Sequence, residues 1–285
     1  MKHTQQAVAR QQGALQLADG RVLAWAAHGP RTGRPVLFVA GAATGKSMTF
    51  ASGSLGREHV RLITVDRPGM GGSSPDPNRT LQSTARDLAE LVSHFSANPV
   101  HVVANSQGAA FGLALATTGV VSRLSLVSPA DEVAAEPIRS MLSQEFRAVV
   151  ESVNADRCEA ERFLAALGPE RMEALVLQNA HDGDRTIFLD PDFRRQFRVA
   201  MQEGFANDGV GYAMDSVLAM TPWNLDFGSI RASVDIWIGE HDHYHSPDQA
   251  ATLTARIVGS VRTVVPGAGG ALLWTHGDNL LRDLL

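Results

Sequence analysis

The chain has 285 residues, of which 44% are hydrophobic and 19% charged, a composition typical of a folded globular protein. Its 25 Lys and Arg against 30 Asp and Glu leave a net charge of −5, which argues against nonspecific nucleic-acid binding and against an anionic membrane surface as partner. The single cysteine, Cys158, excludes an intrachain disulfide and a multi-cysteine zinc site. The length suits one large α/β domain with an insertion.

The N-terminal residues MKHTQQAVARQQGALQL lack the apolar core of a signal peptide. No stretch of the sequence approaches the roughly 20 apolar residues of a membrane-spanning helix. We therefore expect a cytoplasmic protein. Short apolar runs at 14–18 and 21–27 flank Asp19-Gly20, a dipeptide that favours tight hairpin turns, so the first predicted element is a β-hairpin.

Short unbroken apolar runs along the rest of the chain are typical of strands that are covered on both faces, as in a parallel sheet. These runs are Pro35–Val39, Val60–Val65, Val100–Ala104, Leu124–Val127, Val234–Ile238 and Val261–Val265. Helical patterns lie between several of them, over Thr80–Asn98, Ala109–Ala116 and Gln249–Ile257. Strands that alternate with helices predict the α/β class, with a mostly parallel sheet built from right-handed crossovers.

One interval departs from this alternation. From about Glu132 to Phe227 there is no clear strand pattern, and amphipathic helical patterns fill the interval apart from a predicted loop over Ala180–Arg185. Because the strand pattern resumes at Val234, we predict a sheet core formed by residues 1–131 and 228–285, with residues 132–227 inserted as a helical cap.

A buried strand runs into Ala104-Asn-Ser106-Gln-Gly108, and a helix rich in small residues follows. This is the small-x-Ser-x-small pattern of a nucleophile elbow, a turn so tight that the flanking side chains must be small. The turn lifts the hydroxyl of Ser106 above the sheet at the N-terminus of a helix, which favours developing negative charge. The strict pattern has glycine at both flanks, and Ala104 is a mild departure from it.

A second glycine-rich segment, Ala40–Ser47, fits a relaxed phosphate-binding loop that ends in Gly45-Lys46-Ser47. A P-loop NTPase is therefore an alternative interpretation. Two features oppose it. The residues after Ser47 are poor helix formers, and Asp66 continues into a second glycine-rich turn that a P-loop fold does not explain. We therefore predict that Lys46 binds no nucleotide phosphate.

Six segments follow one another along the chain: the strand and loop of Val36–Gly45, Asp66-Arg-Pro-Gly-Met-Gly-Gly-Ser73, the Ser106 elbow, the helical interval after Leu126-Val-Ser-Pro129, Ile238-Gly-Glu-His-Asp242 and Val265-Pro-Gly-Ala-Gly-Gly270. In this order they resemble the α/β-hydrolase fold superfamily, over nearly the whole length of the chain and in the manner of a capped serine esterase or lactonase. The resemblance implies an α/β-hydrolase fold with helices on both faces of the sheet.

Carried over by position, the resemblance makes Ser106 the nucleophile and Asp242 its partner acid, with Asp131 as the other candidate acid. It places the oxyanion hole at the backbone N–H groups of Ala42 and Gln107. It implies a small-molecule acyl substrate, no cofactor and no metal. The residues around Asp242 leave one alternative open, because His241, His243 and His245 alternate beside it and could suggest a metal site.

At the position of the family's general base, this chain departs from the family pattern. The family's histidine commonly follows a Pro-Gly-Ala-Gly-like turn after the last strand, and here Gly270 occupies that position. The next histidine, His276, lies six residues on, or about 9 Å along a helix, so it is a weak substitute. Gly270 either replaces a histidine of a parental enzyme or is natural. On this interpretation, Gly270→His is expected to create or restore hydrolysis.

The main functional hypothesis is a serine hydrolase that acts on an ester, lactone or related acyl bond and that is inactive or slowed by Gly270. The alternative is a non-hydrolytic member of the fold, either a cyclase or lyase or a ligand-binding protein. Trp223 lies where the cap returns to the sheet, and it is a candidate substrate contact.

Overall fold

The computed structural model describes residues 10–283. Residues 1–9, on which the signal-peptide expectation rests in part, lie outside the described residues. Eight strands form one sheet in the order β1-β2-β4-β3-β5-β6-β7-β8. The strands are β1 (Arg10–Gln16), β2 (Val22–His28), β3 (Arg34–Val39), β4 (Val60–Val65), β5 (Val100–Ser106), β6 (Val121–Pro129), β7 (Ser233–Gly239) and β8 (Val261–Val265). The sheet confirms the predicted α/β-hydrolase fold.

The predicted hairpin forms the outer edge of the sheet. β1 pairs antiparallel with β2, and Leu15 lies opposite Leu23 in the register. The turn closes with a hydrogen bond from Leu17 N–H to Arg21 O, 2.8 Å long. Gly20 lies at φ 87°, which only glycine adopts without cost, so the turn favours glycine at this position.

The remaining strands are parallel, apart from the antiparallel contact between β2 and β4. β5 lies in the middle of the sheet and is almost fully buried along its length. The apolar runs predicted from the sequence are therefore the strands of this sheet. Because parallel strands end at the same edge, the segments that follow β3, β5, β6, β7 and β8 come together there.

Five helices belong to the sheet core: α1 (Leu81–Phe95), α2 (Gly108–Ala116), α10 (Ala251–Arg256), α11 (Leu272–Thr275) and α12 (Gly277–Asp283). α1 begins at Thr80, whose side chain accepts from Ser83 N–H while the Ser83 hydroxyl accepts from Thr80 N–H. α2 packs on α1 and on β5, and it is buried along its whole length.

Seven helices lie between β6 and β7: α3 (Glu136–Arg139), α4 (Gln144–Ala155), α5 (Arg157–Ala165), α6 (Gly168–Asn179), α7 (Asp182–Leu189), α8 (Pro191–Gly204) and α9 (Val210–Met220). We call residues 136–220 the helical insertion. No strand is described in this part of the chain, in agreement with the sequence pattern. No helix among the described residues is long and apolar enough to cross a lipid bilayer.

The loop predicted over Ala180–Arg185 is wrong in its second half, because α7 begins at Asp182. The imidazole Nδ1 of His181 accepts from Gly183 N–H at 3.2 Å and caps the helix. Asp182 and Asp184 add negative charge to the first turn, which the helix dipole favours. The sequence His-Asp-Gly-Asp has turn-forming composition, and its capping role was hidden for that reason.

A fully buried ion cluster joins the helical insertion to the core. Asp215 on α9 accepts from Arg67 Nε at 2.5 Å and from Arg79, and none of these three side chains reaches solvent. The other Arg67 nitrogens donate to the carbonyls of Ala40 and Gly41, at 2.7 and 2.9 Å. Each charge thus has partners, as buried charges require.

Candidate active site

Ser106 lies at the junction of β5 and α2 with φ 52°, in the left-handed region that few non-glycine residues adopt. This strained turn lifts the side chain above the carboxyl edge of the sheet. An added Cβ at Gly108 would lie 2.3 Å from Val39 O, so glycine is required where α2 starts. At the other flank, an added Cβ at Gly112 would lie 2.7 Å from Ala104 Cβ. The lack of a side chain at Gly112 therefore leaves space for the methyl group of Ala104.

The two backbone amides expected to form an oxyanion hole lie at the same edge of the sheet. Ala42 lines the cavity that holds Ser106, and Gln107 directly follows Ser106 in the chain. Among the described residues, neither N–H group donates to another backbone carbonyl outside the helices and strands. Arg67 holds the Ala42 loop in place through the two preceding carbonyls. Both amides are therefore free to bind a developing oxyanion.

Asp242 follows β7 and is almost fully buried. It accepts from the backbone N–H of His245 at 3.2 Å, and its two oxygens lie 2.8 and 3.0 Å from His245 Nδ1. Burial alone would raise the pKa of this carboxyl, but the contacts with His245 hold it below its usual value. Asp242 is therefore an ionised acid paired with a histidine.

Asp131 follows β6 and is also buried, but its partners differ. Its oxygens accept from the Ser246 hydroxyl at 2.9 Å and from Glu132 N–H at 2.8 Å. Burial raises its pKa to about 6, against these hydrogen bonds. Its backbone N–H donates to His245 O at 3.1 Å, so Asp131 supports the loop after β7 through its backbone. Of the two candidate acids, Asp242 is the one that contacts a histidine.

Gly270, the position expected to carry the base, lies in the same cavity as Ser106, but the space above it is filled. An added Cβ there would lie 2.9 Å from His245 Cε1, 3.0 Å from His245 Nδ1 and 3.3 Å from Asp242 Oδ1. A histidine from the loop after β7 thus occupies the place predicted to be vacant. The sequence pattern missed it because three histidines alternate in an irregular loop that has no periodicity.

Two residues predicted from the sequence lie elsewhere. His276 does not line the cavity, and its Nδ1 lies 2.9 Å from the hydroxyl of its neighbour Thr275. Trp223 does not line it either: the indole is buried in the core, its Nε1 donates to Ala219 O at 3.0 Å, and its backbone N–H donates to Glu132. The interpretation of Trp223 as a substrate contact is wrong, because the chain turns it inward as it returns to the sheet.

The cavity has a volume of about 140 Å³ and is partly open to solvent. Ser106, Asp242, His245 and Gly270 are among the residues that line it. Its walls are largely apolar and come from the helical insertion and from α11: Met172, Val176, Phe188, Phe197 and Trp274. The helical insertion therefore lies over Ser106 and shapes the side of the cavity opposite the sheet.

Polar groups from the helical insertion also reach the cavity. Asp184 on α7 accepts from Ala271 N–H at 3.1 Å, and burial raises its pKa against this bond. His181 stacks on His241, with 4.6 Å between ring centroids. Among the described residues, no group of three or more His, Cys, Asp or Glu side chains is arranged to hold a metal ion.

The loop that resembles a phosphate-binding loop is engaged by carboxylates instead. The Lys46 ammonium lies 2.6 Å from Asp66 and 3.2 Å from Glu203, and the backbone N–H groups of Lys46 and Ser47 donate to the same two carboxylates. An added Cβ at Gly45 would lie 2.4 Å from Glu203 Cβ. The glycine leaves room for α8, and the donors that a phosphate would need are already occupied.

The order of these elements agrees with comparison to known proteins. A model of the alpha/beta hydrolase family matches residues 36–281, from β3 to the last helix. The chain belongs to the alpha/beta hydrolase family. This alpha/beta hydrolase also matches the uncharacterized hydrolase YcgS of Bacillus subtilis (strain 168), 29% identical over 99 residues. That match spans 35% of this chain and 34% of the relative, about a third of its length.

Solved structures agree with the fold over nearly the whole chain. A hydrolase from Pseudomonas aeruginosa PA01 superposes with a TM-score of 0.70 and 20% identity, covering 96% of this chain and 97% of that chain. An esterase from Thermogutta terrifontis gives 0.69 and 19%, with 96% of each chain covered. The enol-lactonase from Burkholderia xenovorans LB400 gives 0.70 and 17%, covering 95% of this alpha/beta hydrolase and 98% of that chain. At these identities the likeness concerns the fold alone.

Proposed function

We propose that this alpha/beta hydrolase cleaves an ester, lactone or related acyl bond, with Ser106 as the nucleophile. The observation that carries the proposal is the backbone of Ser106, held at φ 52° in the lining of a cavity that the buried acid Asp242 also lines. A strained elbow that presents a serine to a cavity, with an acid–histidine pair beside it, is the arrangement acyl transfer requires.

The chemistry follows from the groups around Ser106. Attack of its oxygen on an acyl carbon places negative charge on the carbonyl oxygen. The N–H groups of Ala42 and Gln107 are available to hold that charge, and removing one such donor typically costs roughly 10²–10³-fold in rate. Since these donors belong to the backbone, the side chains at both positions are free to vary.

The walls of the cavity indicate the class of substrate. Phe188, Phe197 and Trp274 form one aromatic surface, with 6.1 to 6.2 Å between Phe188 and the other two rings. Apolar walls favour an apolar acyl or alcohol group, because burying such a group removes it from water. The volume suits a small or medium-sized substrate, and enol-lactonase and esterase are the activities that the names of similar folds carry.

The test is covalent labelling of the purified protein with a fluorophosphonate, followed by peptide mapping, beside hydrolysis of short-chain aryl esters and simple lactones. We expect the label on Ser106 and its loss in Ser106→Ala. Ser73, a buried serine in the turn after β4, provides the matched control, and Ser73→Ala should still be labelled. Label elsewhere, or unchanged hydrolysis by Ser106→Ala, would refute the proposal.

The non-hydrolytic alternative rested on a missing base. The contact between His245 and Asp242 supports the hydrolytic proposal instead, because a histidine paired with a buried acid lines the cavity.

A further inference from the structure

We infer that His245 is the general base of this enzyme, and that glycine at position 270 leaves the space that the His245 ring occupies. The inference rests on the proposed function, and it concerns a site that the family pattern assigns to another loop. In this arrangement the acid and the base both come from the segment after β7, three residues apart.

The first argument is the geometry of the pair. His245 Nδ1 lies 2.8 Å from Asp242 Oδ1, and the His245 backbone N–H donates to the same oxygen. The carboxylate therefore fixes both the ring and the backbone that carries it. With Nδ1 on the acid, Nε2 lies on the opposite side of the ring, and no described residue forms a hydrogen bond with it. The tautomer that an acid at Nδ1 selects leaves Nε2 as the acceptor.

The second argument is the space above Gly270. The ring of His245 lies where the first atom of a side chain at position 270 would be, with 2.9 Å to its Cε1. Atoms at that distance overlap, so a side chain at 270 and this position of His245 exclude each other. The φ of Gly270 is not in the left-handed region, so the need for glycine is one of space and not of backbone conformation. The lack of a histidine at position 270 and the presence of His245 in that space therefore belong together, because only one of the two side chains fits there.

The third argument is the location of His245 in the cavity. Ser106, Asp242, His245 and Gly270 all line the same cavity. Carboxylates face the ring from two elements: Asp242 on its own loop and Asp184 on α7, while the ring of Tyr244 lies 5.6 Å away. Burial lowers the pKa of His245, but the two carboxylates outweigh burial and raise it above the ordinary value. A base in this setting is well matched to accept and return a proton near neutral pH.

Ser106, His245 and water supply every bond and proton transfer that the reaction needs. As Ser106 Oγ bonds to the acyl carbon, its proton passes to His245 Nε2 and the carbonyl electrons move onto oxygen. When the carbonyl re-forms, the bond to the leaving alcohol breaks and Nε2 returns the proton to that oxygen. Water then attacks the acyl-enzyme by the same two transfers, which releases the carboxylic acid and restores Ser106.

The experiment compares His245→Ala and the more conservative His245→Gln with Ser106→Ala, using fluorophosphonate labelling rate and aryl ester hydrolysis. We expect both His245 variants to lose roughly 10²–10⁴-fold in kcat and in labelling rate, with KM changed little. The matched control is His243→Ala, which removes an exposed histidine of the same loop outside the cavity and should keep the wild-type rate.

A second experiment moves the histidine from the loop after β7 to the loop after β8. Gly270→His alone is expected to bring no gain, because His245 fills the space, which revises the expectation drawn from the sequence. In the His245→Ala background, Gly270→His should recover activity, and the gain should vanish when Ser106→Ala is added. The wild-type rate should also fall as the pH drops through the pKa of His245, and this inflection should be absent from His245→Ala.

The outcomes separate the two proposals. If His245→Ala and His245→Gln label and hydrolyse at the wild-type rate while Ser106→Ala does neither, the serine is the nucleophile and the assignment of His245 is wrong. If Gly270→His alone raises the rate, the space above Gly270 is open in solution and the argument that the two side chains exclude each other is wrong. If Ser106 is not labelled in the wild type, the proposed function itself fails.

Discussion

At the scale of single residues, the site depends on which of two buried carboxylates contacts a histidine. The sequence predicted both Asp131 and Asp242, because each follows a strand at the same edge of the sheet. It placed Asp242 first and Asp131 second by resemblance alone, since the choice itself depends on side-chain contacts across loops. Asp242 is held by His245, and Asp131 by Ser246. The same limit hid His245, whose role depends on an overlap with Gly270 that no spacing rule expresses.

A substitution at Asp131 tests whether this buried carboxyl carries a raised pKa and has no part in holding the histidine. A raised pKa means that the folded protein keeps this proton to higher pH than the unfolded chain, so the group costs stability as the pH rises from about 4 to above 6. We expect Asp131→Asn to gain in unfolding free energy relative to wild type between pH 4 and pH 8, by up to roughly 3 kcal/mol. Urea unfolding at the two pH values measures the difference.

The same variant also separates the candidate acids. Since Asp131 touches His245 only through its backbone N–H, Asp131→Asn should retain most of the esterase activity, whereas Asp242→Asn should lose it. A pH-independent stability difference would contradict the buried, protonated carboxyl, and an inactive but well-folded Asp131→Asn would make Asp131 the acid.

At the scale of elements, the elbow was predictable because tight turns need small residues at fixed positions. The pentapeptide gave the serine, the strand before it and the helix after it. Only the packing explains why alanine is tolerated at position 104: Gly112, about one turn into α2, leaves space for its methyl group. The glycine-rich loop at Gly45 only resembles a phosphate-binding loop, because this glycine leaves room for Glu203.

The Ala104–Gly112 contact makes a coupled prediction. Gly112→Ala should destabilise the protein, by about 1–3 kcal/mol, because its Cβ would approach Ala104 Cβ to 2.7 Å. Adding Ala104→Gly should recover part of that loss, although glycine in a strand has its own cost. Chemical denaturation of the two single variants and the double variant gives the coupling energy. Additive effects would show that α2 shifts freely away from β5.

At the scale of the whole molecule, the helical insertion is part of the folding unit. The absence of strands between Glu132 and Phe227 was predictable from the sequence pattern, but the attachment of these helices to the core was not, because a buried charge leaves no trace in hydropathy. Asp215 on α9 neutralises two arginines of the core, and Arg67 in turn holds the loop that carries Ala42. The helical insertion and the loop that carries the expected oxyanion-hole residue Ala42 therefore share one ion cluster.

We expect Asp215→Asn to lower the unfolding free energy by about 3–5 kcal/mol, since it leaves two arginine charges buried without a counter-charge. It should also lower kcat through the Ala42 loop. Asp208→Asn, at an exposed aspartate just before α9, is the matched control and should unfold like the wild type. Thermal and urea unfolding measure the effect. Wild-type stability for Asp215→Asn would mean that the arginines find other partners.

The placement of acid and base on one short loop has a consequence for the C-terminal part of the chain. Where the base follows the last strand, its alignment with the acid depends on how two separate loops pack. Here the alignment is set within Asp242–His245, by one side-chain contact and one backbone hydrogen bond. The segment after β8 then takes no part in proton transfer. It must only lack a side chain at Gly270, so that the ring of His245 fits there. Chain length and composition there can drift without separating the proton acceptor from its carboxylate.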